Sequence, residues 1–320
     1  MRVPRYLTRR IGVASLVFWT AIAMLLTTTI NFDFNQDIGA YYDNIERRDF
    51  YGAFRADWTK EFWYTFIVFP IHDLLKNVDL TFTVLKSIIG GLFFLSLRKF
   101  LRSPLDALLA IALITLTPAL HENLVEYLRQ GMAIGTFLLA LSFTRRVVRW
   151  PLIALAVLQH PGVVFLLLCV LGGWILGRYL FNRSPNRRAL IINPLLVFVI
   201  AAAAAGFGLV GGGVIRALPV ASILGFLGGD RANILGALYL AAYASLVGYQ
   251  AVVHRSAPHL TVFLGMLVLC TTYSTILDFG RAISLIVPLH LLAAMSLRPG
   301  PARLVDLLGV VVAGSLFLLA

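Results

Sequence analysis

The chain has 320 residues, of which 59% are hydrophobic and 13% charged, and its mean hydropathy is +0.86. A soluble domain of this size must expose far more polar surface, so the composition excludes a soluble enzyme or binding module. The formal net charge of +12 is also typical of proteins that bind nucleic acid. Lys and Arg also accumulate in the cytoplasmic loops of membrane proteins, so we expect membrane lipid and no nucleic acid as the partner.

Apolar runs recur along the chain and predict an all-α, polytopic integral membrane protein. Each run is long enough to cross about 30 Å of hydrocarbon. With a broken pair at 151–177, the runs add up to about eleven crossings. Basic residues precede the first run, which predicts a cytoplasmic N-terminus. No repeat, linker or soluble domain is recognisable in the sequence, so residues 1–320 are predicted to form a single membrane domain. The remaining spans are predicted at 11–30, 80–97, 104–120, 131–144, 190–210, 233–253, 259–277, 282–297 and 304–320.

Residues 31–79 are predicted to form a polar and aromatic segment on the periplasmic side. Its part 62–75 is aromatic and apolar but contains Pro70, His72 and Asp73, which favours a helix in the outer interface over a span. The segment holds most of the 15 acidic residues of the chain: Asp33, Asp37, Asp43, Glu46, Asp49, Asp57, Glu61, Asp73 and Asp79.

The apolar run 151–177 has basic residues on both flanks, which places both of its ends in the cytoplasm. The run is too short for two full spans and too long for one straight crossing. Pro161 disfavours a helical conformation at His160. We therefore predict a short hairpin of broken helices with His160 near its tip. Irregular backbone at membrane depth must be surrounded by protein or by a water-filled cavity, so we also predict a cavity there.

Basic residues at the outer ends of helices are candidates for phosphate binding, because guanidinium groups bind phosphate oxygens through two parallel hydrogen bonds. The alternative is that these side chains reach lipid headgroups or pair with neighbouring acids, such as Asp230 and Asp278. The candidates are Arg129, Arg216, Arg231 and Arg281.

Two further features could carry chemistry. His160 could transfer a proton because imidazole titrates near neutral pH, although a buried histidine can also serve packing alone. If 121–130 is helical, Glu122 and Glu126 share one face and Arg129 lies one turn beyond; the alternative is a salt bridge that ends a helix. No metal-binding motif of histidines or cysteines occurs in the sequence, so we expect no metal and no cofactor.

The run from Glu126 to Ala133, followed by Gln159-His160, resembles the EpsG-like family of bacterial polysaccharide polymerases, which is related in role to the Wzy-type polymerases. The family pattern is matched further by an acid, a tyrosine and a second acid after the first helix, and by an arginine that opens a late helix. These residues are Asp37, Tyr41, Glu61 and Arg281. The sequence departs from the pattern after the histidine, where Pro161-Gly162 replaces an expected small hydroxyl residue.

The resemblance implies a GT-C-like glycosyltransferase of the bacterial inner membrane that joins undecaprenyl-pyrophosphate-linked repeat units on the periplasmic face. Its partners would be the lipid-linked donor and acceptor, bilayer lipids, a flippase and a chain-length regulator. The expected catalytic residues are His160, Glu61 and Asp37. The expected substrate-binding residues are Arg129, Gln130, Arg281, Arg216, Arg231, Glu126 and Tyr41.

Three other functions remain open from the sequence. Broken helices and arginines at membrane boundaries also suit a transporter or flippase for a lipid-linked glycan. An O-antigen ligase would use the same donor with a different acceptor. A noncatalytic scaffold of a polysaccharide export machine is the third alternative.

The sidedness makes a first prediction. Cysteines placed at Asp43 and Gly212 should react with a membrane-impermeant thiol reagent in intact spheroplasts, whereas cysteines at Asn186 and Ser256 should not. Labelling at residue 186 would contradict the hairpin over 151–177, because that arrangement returns the chain to the cytoplasm before residue 186.

Overall fold

The computed structural model describes residues 12–29, 38–47, 62–125, 127–182, 197, 199–205, 234–272 and 279–316, and the regular structure in these ranges is helical throughout. This confirms the predicted all-α class. The chain divides into two compact units, residues 1–164 and 165–320, which are described separately.

The helices of the first unit follow the predicted apolar runs closely. A π-helical turn, Tyr64–Val68, precedes α3. The helices are α1 (Val13–Thr29), α2 (Ile38–Arg47), α3 (Phe69–Leu75), α4 (Val78–Ser96), α5 (Pro104–Leu116), α6 (Pro118–Val125), α7 (Leu128–Ser142) and α8 (Arg146–Gln159).

The remaining helices are α9 (Gly162–Asn182), α10 (Ile234–Val253), α11 (Ala257–Thr272), α12 (Phe279–Ser296) and α13 (Pro301–Leu316). In the second unit α10 packs on α11, α11 on α12, α12 on α13, and α13 returns to α10. In the turn between α10 and α11, His254 is exposed whereas Ser256 is half-buried. His254 is therefore the better labelling position for the topology experiment.

Capping residues determine where two helices of the first unit begin. The Ser103 hydroxyl accepts a hydrogen bond from the Asp106 N–H at 3.1 Å, and the Asp106 carboxylate accepts one from the Arg102 N–H at 3.0 Å. Asn77 caps α4 in the same way, accepting from the Leu80 N–H at 2.9 Å. These bonds satisfy backbone donors that have no partner within a helix.

Helix α4 is the centre of the first unit. It contacts α1 and α7 most extensively, and it also contacts α2, α3, α5 and α6. Its buried side chains include Phe82, Leu85, Ile89 and Phe94. Helices α1 to α3 and α5 to α7 are therefore arranged around α4.

The predicted straight span 104–120 is wrong in shape. The chain bends by 77° between α5 and α6, at Thr117-Pro118. Proline lacks an N–H donor and disfavours a helical residue before it, so the helix is interrupted at Thr117. The predicted outer turn from His121 is also incorrect over its first half, because residues 121–125 belong to the helix α6 and His121, Glu122, Asn123 and Leu124 are buried.

The predicted break at His160 is confirmed, since α8 ends at Gln159 and α9 begins at Gly162. The helices on either side are longer than the hairpin over 151–177 requires. Arg146, Arg149 and Arg178 lie within them instead of in flanking loops. Residues Gly162–Phe181 alone are long and apolar enough to cross a membrane.

Two helices of the described residues, Val78–Ser96 and Gly162–Phe181, could span a bilayer by length and composition, and the bent pair α5–α6 would be a third. Shorter apolar helices include Val13–Thr29 and Ala257–Thr271. Large apolar side chains such as Leu168 and Trp174 are exposed, which suits a lipid environment. The total of about eleven crossings stays a prediction.

Among the described glycines of the first unit, Gly131 has the least room for a side chain, which makes a testable prediction. A Cβ atom at this position would lie 1.9 Å from the Asn123 carbonyl oxygen, a backbone atom that cannot move aside. We expect Gly131→Ala to destabilise the protein by at least the ~1–3 kcal/mol typical of overpacking, measured as a lower melting temperature in detergent.

Gly39→Ala is the matched control, since a Cβ atom there meets nothing within 4 Å. It should leave the melting temperature unchanged or raise it slightly, because alanine is the better helix former. An unchanged melting temperature for Gly131→Ala would mean that α6 and α7 are not packed as described.

Candidate functional site

Polar side chains are concentrated inside the first unit, in what we call the polar core. Its members are at most 5% exposed although they come from an otherwise apolar set of helices. Burying polar groups is unfavourable unless they are hydrogen-bonded, so such a concentration marks a site or a structural network. The polar core consists of His121, Glu122, Asn123, Gln130, Gln159 and His160.

The junction between α6 and α7 is closed by hydrogen bonds. The Tyr127 N–H donates to the Glu122 carbonyl at 2.9 Å, and the Gln130 side-chain amide donates to the Asn123 side-chain oxygen at 3.2 Å. Asn123 in turn donates to the Ala119 carbonyl at 3.0 Å. Gln130 is 2% exposed, so it holds the junction together from within.

Arg129 lies in the first turn of α7, next to this junction, and is half-buried. Its neighbours Leu128 and Gln130 are both buried, which fixes the backbone that carries it. The first turn of a helix also presents N–H groups and a partial positive charge to anions. Arg129 and the start of α7 therefore favour the same kind of ligand, an anion.

The predicted alignment of Glu122, Glu126 and Arg129 on one continuous helical face is wrong. Helix α6 ends at Val125 and α7 begins at Leu128, so Arg129 is not one turn beyond Glu126 on the same helix. Glu126 itself lies outside the described residues. Tyr127 has non-helical backbone angles of φ −101° and ψ 50°, which accounts for the interruption.

His160 is 5% exposed and lies in extended backbone between α8 and α9. Its Nδ1 atom accepts a hydrogen bond from the Gly162 N–H at 3.0 Å. A neutral imidazole that accepts at one nitrogen carries its proton on the other, so Nε2 is an N–H donor in this conformation. The ring is therefore held by the start of the next helix and presents a donor.

Helix α7 connects the two parts of the family motif, the run from Glu126 to Ala133 and the pair Gln159-His160. At its beginning Gln130 bonds to Asn123, and further along Thr136 donates to the Gln159 side-chain oxygen at 3.5 Å, beside His160. Gln130 and Thr136 are six residues apart, or about 9 Å along a helix. The helix that carries Arg129 and Gln130 is thus also bonded to Gln159, the residue before His160.

Tyr41 belongs to an aromatic cluster at the start of α4. Its ring centroid lies 6.4 Å from that of Tyr64 and 6.3 Å from that of Phe82. Tyr42 stacks on Phe82 at 4.7 Å and donates a hydrogen bond to the Asp79 carboxylate. Partial burial, and then the bond to Asp79 and its negative charge, raise the pKa of Tyr42 to about 12.

Several predicted site residues fall outside the described part of the chain: Asp37, Glu61, Glu126, Arg216 and Arg231. The backbone of Arg281 opens α12, whereas its side chain is outside the described part. Their roles stay predictions.

Sequence reasoning missed two members of the polar core, His121 and Asn123, and considered Glu122 only as part of a helical face with Glu126 and Arg129. His121 also interacts electrostatically with Lys86 of α4. The signal that could have found them is Thr117-Pro118, which interrupts an apolar run immediately before a cluster of polar residues. Sequence reasoning also missed a buried cluster in the second unit, His259, His290 and Asp306.

Comparison with known proteins gives one family. The EpsG family model matches residues 16–296, which covers most of the chain and includes the polar core and the start of α12. No curated protein and no solved structure matches the chain. The extent of the family match shows that this protein belongs to the EpsG family, a Wzy-like family of polysaccharide polymerases.

Proposed function

We propose that the protein is a membrane glycosyltransferase that joins lipid-pyrophosphate-linked oligosaccharide repeat units on the periplasmic face of the bacterial inner membrane. The observation that carries this proposal is the match to the EpsG family over residues 16–296. The polar core adds support, because the motif residues Arg129, Gln130 and His160 are ordered around α7 inside an apolar unit.

The reaction is a displacement at an anomeric carbon. A hydroxyl oxygen of the acceptor sugar forms a bond to the anomeric carbon of the donor, and the bond from that carbon to the lipid pyrophosphate breaks. The pyrophosphate leaves with the electron pair, and the hydroxyl proton passes to a base. Negative charge therefore develops on the leaving group, where positively charged donors stabilise the transition state most.

In this proposal Arg129 and the start of α7 bind the pyrophosphate. Their combined charge and N–H donors offset the charge that develops there. Arg281 is assigned the same role by the family resemblance, and Arg216 and Arg231 are candidates for it from their predicted positions at outer helix ends. Because guanidinium groups supply this stabilisation, we propose that catalysis is independent of metal.

His160 then acts as a hydrogen-bond donor through Nε2, to an oxygen of the donor substrate. A role as general base would require the proton on Nδ1, and that tautomer would lose the bond from the Gly162 N–H at 3.0 Å. The proton of the acceptor hydroxyl would go to a carboxylate, Asp37 or Glu61. Both are candidates from the sequence pattern.

The aromatic cluster around Tyr41 suits the sugar part of the substrate. Aromatic rings offer apolar faces with a polar hydroxyl at the edge, and Asp79 and Asn44 add hydrogen-bonding groups nearby. The ligase alternative differs from the polymerase in its acceptor alone. A purified protein supplied with one lipid-linked repeat unit tests both, because a polymerase makes a ladder of longer glycans and a ligase does not.

The pyrophosphate assignment predicts that Arg129→Lys and Arg281→Lys each lose most polymerase activity, measured as the product ladder from a lipid-linked repeat unit. Lysine keeps the charge but not the two parallel N–H donors, so the protein should still insert and keep its melting temperature. Arg146→Lys, at an exposed position of α8, is the control and should polymerise normally. Normal ladders from both Arg129→Lys and Arg281→Lys would remove these residues from the site.

The His160 assignment predicts opposite effects for two substitutions of similar size. Asparagine places an oxygen near the position of Nδ1 and can still accept from the Gly162 N–H, but it has no group at the position of Nε2. His160→Asn should therefore keep the melting temperature and lose about 10²-fold or more in rate. Glutamine reaches the position of Nε2 with an N–H donor but releases the Gly162 N–H, so His160→Gln should lose ~1–3 kcal/mol of stability and keep partial activity.

Other outcomes have equally definite meanings. If both variants are inactive although stable, His160 is the base. An active, stable His160→Asn would show that the histidine serves only to join α8 to α9. Rates and melting temperatures should be measured on the same preparations, so that lost activity is separated from lost protein.

A further inference from the structure

Three ionisable side chains converge in the second unit, each from a different helix. They are His259 of α11, His290 of α12 and Asp306 of α13, and all are 0% exposed. The Nε2 atom of His259 lies 2.6 Å from one carboxylate oxygen of Asp306, and the Nε2 atom of His290 lies 2.9 Å from the other. The possible ligand atoms of the three residues all lie within 4.8 Å of one another.

A second layer of side chains holds both imidazoles from behind. The Nδ1 atom of His259 lies 2.6 Å from the Ser256 hydroxyl, and the Nδ1 atom of His290 lies 2.6 Å from the Tyr243 hydroxyl. Both rings therefore direct the same nitrogen, Nε2, at one point. Metal-binding histidines have this arrangement, in which the outer nitrogen bonds to a protein oxygen and fixes the ring.

The charge of the cluster also requires a positive partner. Within the described residues, the hydrogen-bond partners of the Asp306 carboxylate are the two imidazoles. Two neutral imidazoles and one carboxylate leave a buried negative charge, which is strongly unfavourable without compensation. A proton on one imidazole would also compensate the negative charge of Asp306. One imidazole would be enough for that purpose, whereas here two are fixed on the same carboxylate.

We propose that His259, His290 and Asp306 form a closed binding site for a divalent transition-metal ion, with Zn²⁺ as the ion whose preferences fit best. Two imidazole nitrogens and the two oxygens of Asp306 provide four donor atoms, and histidine nitrogens and carboxylate oxygens are both zinc ligands in proteins. With the ion bound, the imidazole protons sit on Nδ1, where the oxygens of Ser256 and Tyr243 can accept them.

The ion would have a structural role. It would join α11, α12 and α13, and His290 lies nine residues, or about 14 Å along a helix, after Arg281 on α12. The ion would thus fix the helix that carries this arginine without taking part in the transfer reaction. The sequence alone does not suggest the site, because 30 residues separate His259 from His290 along the chain and no short motif links the ligands.

The full-length protein, purified in detergent without a histidine tag and without chelator, tests the proposal. Elemental analysis should find zinc in near-stoichiometric amount. Stripping with EDTA should lower the melting temperature, and added Zn²⁺ should restore it, because a ligand that binds only the folded state stabilises it. Co²⁺ added to the stripped protein should give visible ligand-field absorption.

Asp306→Asn and His290→Gln should abolish the metal content and the cobalt absorption. His254→Gln, which changes an exposed histidine in the turn before α11, should leave both unchanged. The EDTA and Co²⁺ measurements use the unaltered sequence, so they decide the matter even if Asp306→Asn fails to fold. Wild-type protein with no metal above background, no cobalt absorption and no response to EDTA would overturn the proposal and leave a hydrogen-bonded cluster with one protonated imidazole.

Discussion

Backbone groups at a helix break in an apolar environment must find hydrogen-bond partners within the protein, and the first unit is organised by this constraint. Two of the breaks between its described helices lie at Thr117-Pro118 and at His160-Pro161. Each break is followed or flanked by polar side chains that bond to nearby backbone. Asn123 donates to the Ala119 carbonyl after the first break, and His160 accepts from the Gly162 N–H at the second. Two members of the polar core, Asn123 and His160, therefore also bond to the backbone that follows these breaks.

Helix α7 shows how this local requirement becomes a site. It bonds to Asn123 of α6 through Gln130, and to Gln159, the residue before His160, through Thr136. Arg129 takes its position from the same helix, between two buried neighbours. In the proposed reaction Arg129 binds the pyrophosphate, and a rigid element suits that role because a shift of about 1 Å can be costly for catalysis.

The sequence predicted the helices well and the arrangement of the polar residues less well. Apolar runs of span length located α1, α4, α7 and α10 to α13 within a few residues, because hydrophobic length is a strong signal in membrane proteins. The bend at Thr117 was not predicted because apolar residues continue on both sides of Pro118 and no charged residue marks an interruption there. The break at His160 was predicted because Gln159 and His160 add polarity to the proline signal. Convergence of His259, His290 and Asp306 depends on how three helices pack, which no local pattern encodes.

The close contact at Gly131 has a consequence for protein engineering. Because the Tyr127 N–H bonds to the Glu122 carbonyl and Gly131 packs closely against the Asn123 carbonyl, the spacing between α6 and α7 is fixed at their junction. Adding or removing a residue there would rotate α7 by about 100° and turn Arg129 and Thr136 away from their neighbours. Epitope tags, fluorescent-protein insertions and split-protein junctions therefore belong elsewhere. A suitable insertion point is the turn between α7 and α8, where Thr144 and Arg145 are exposed.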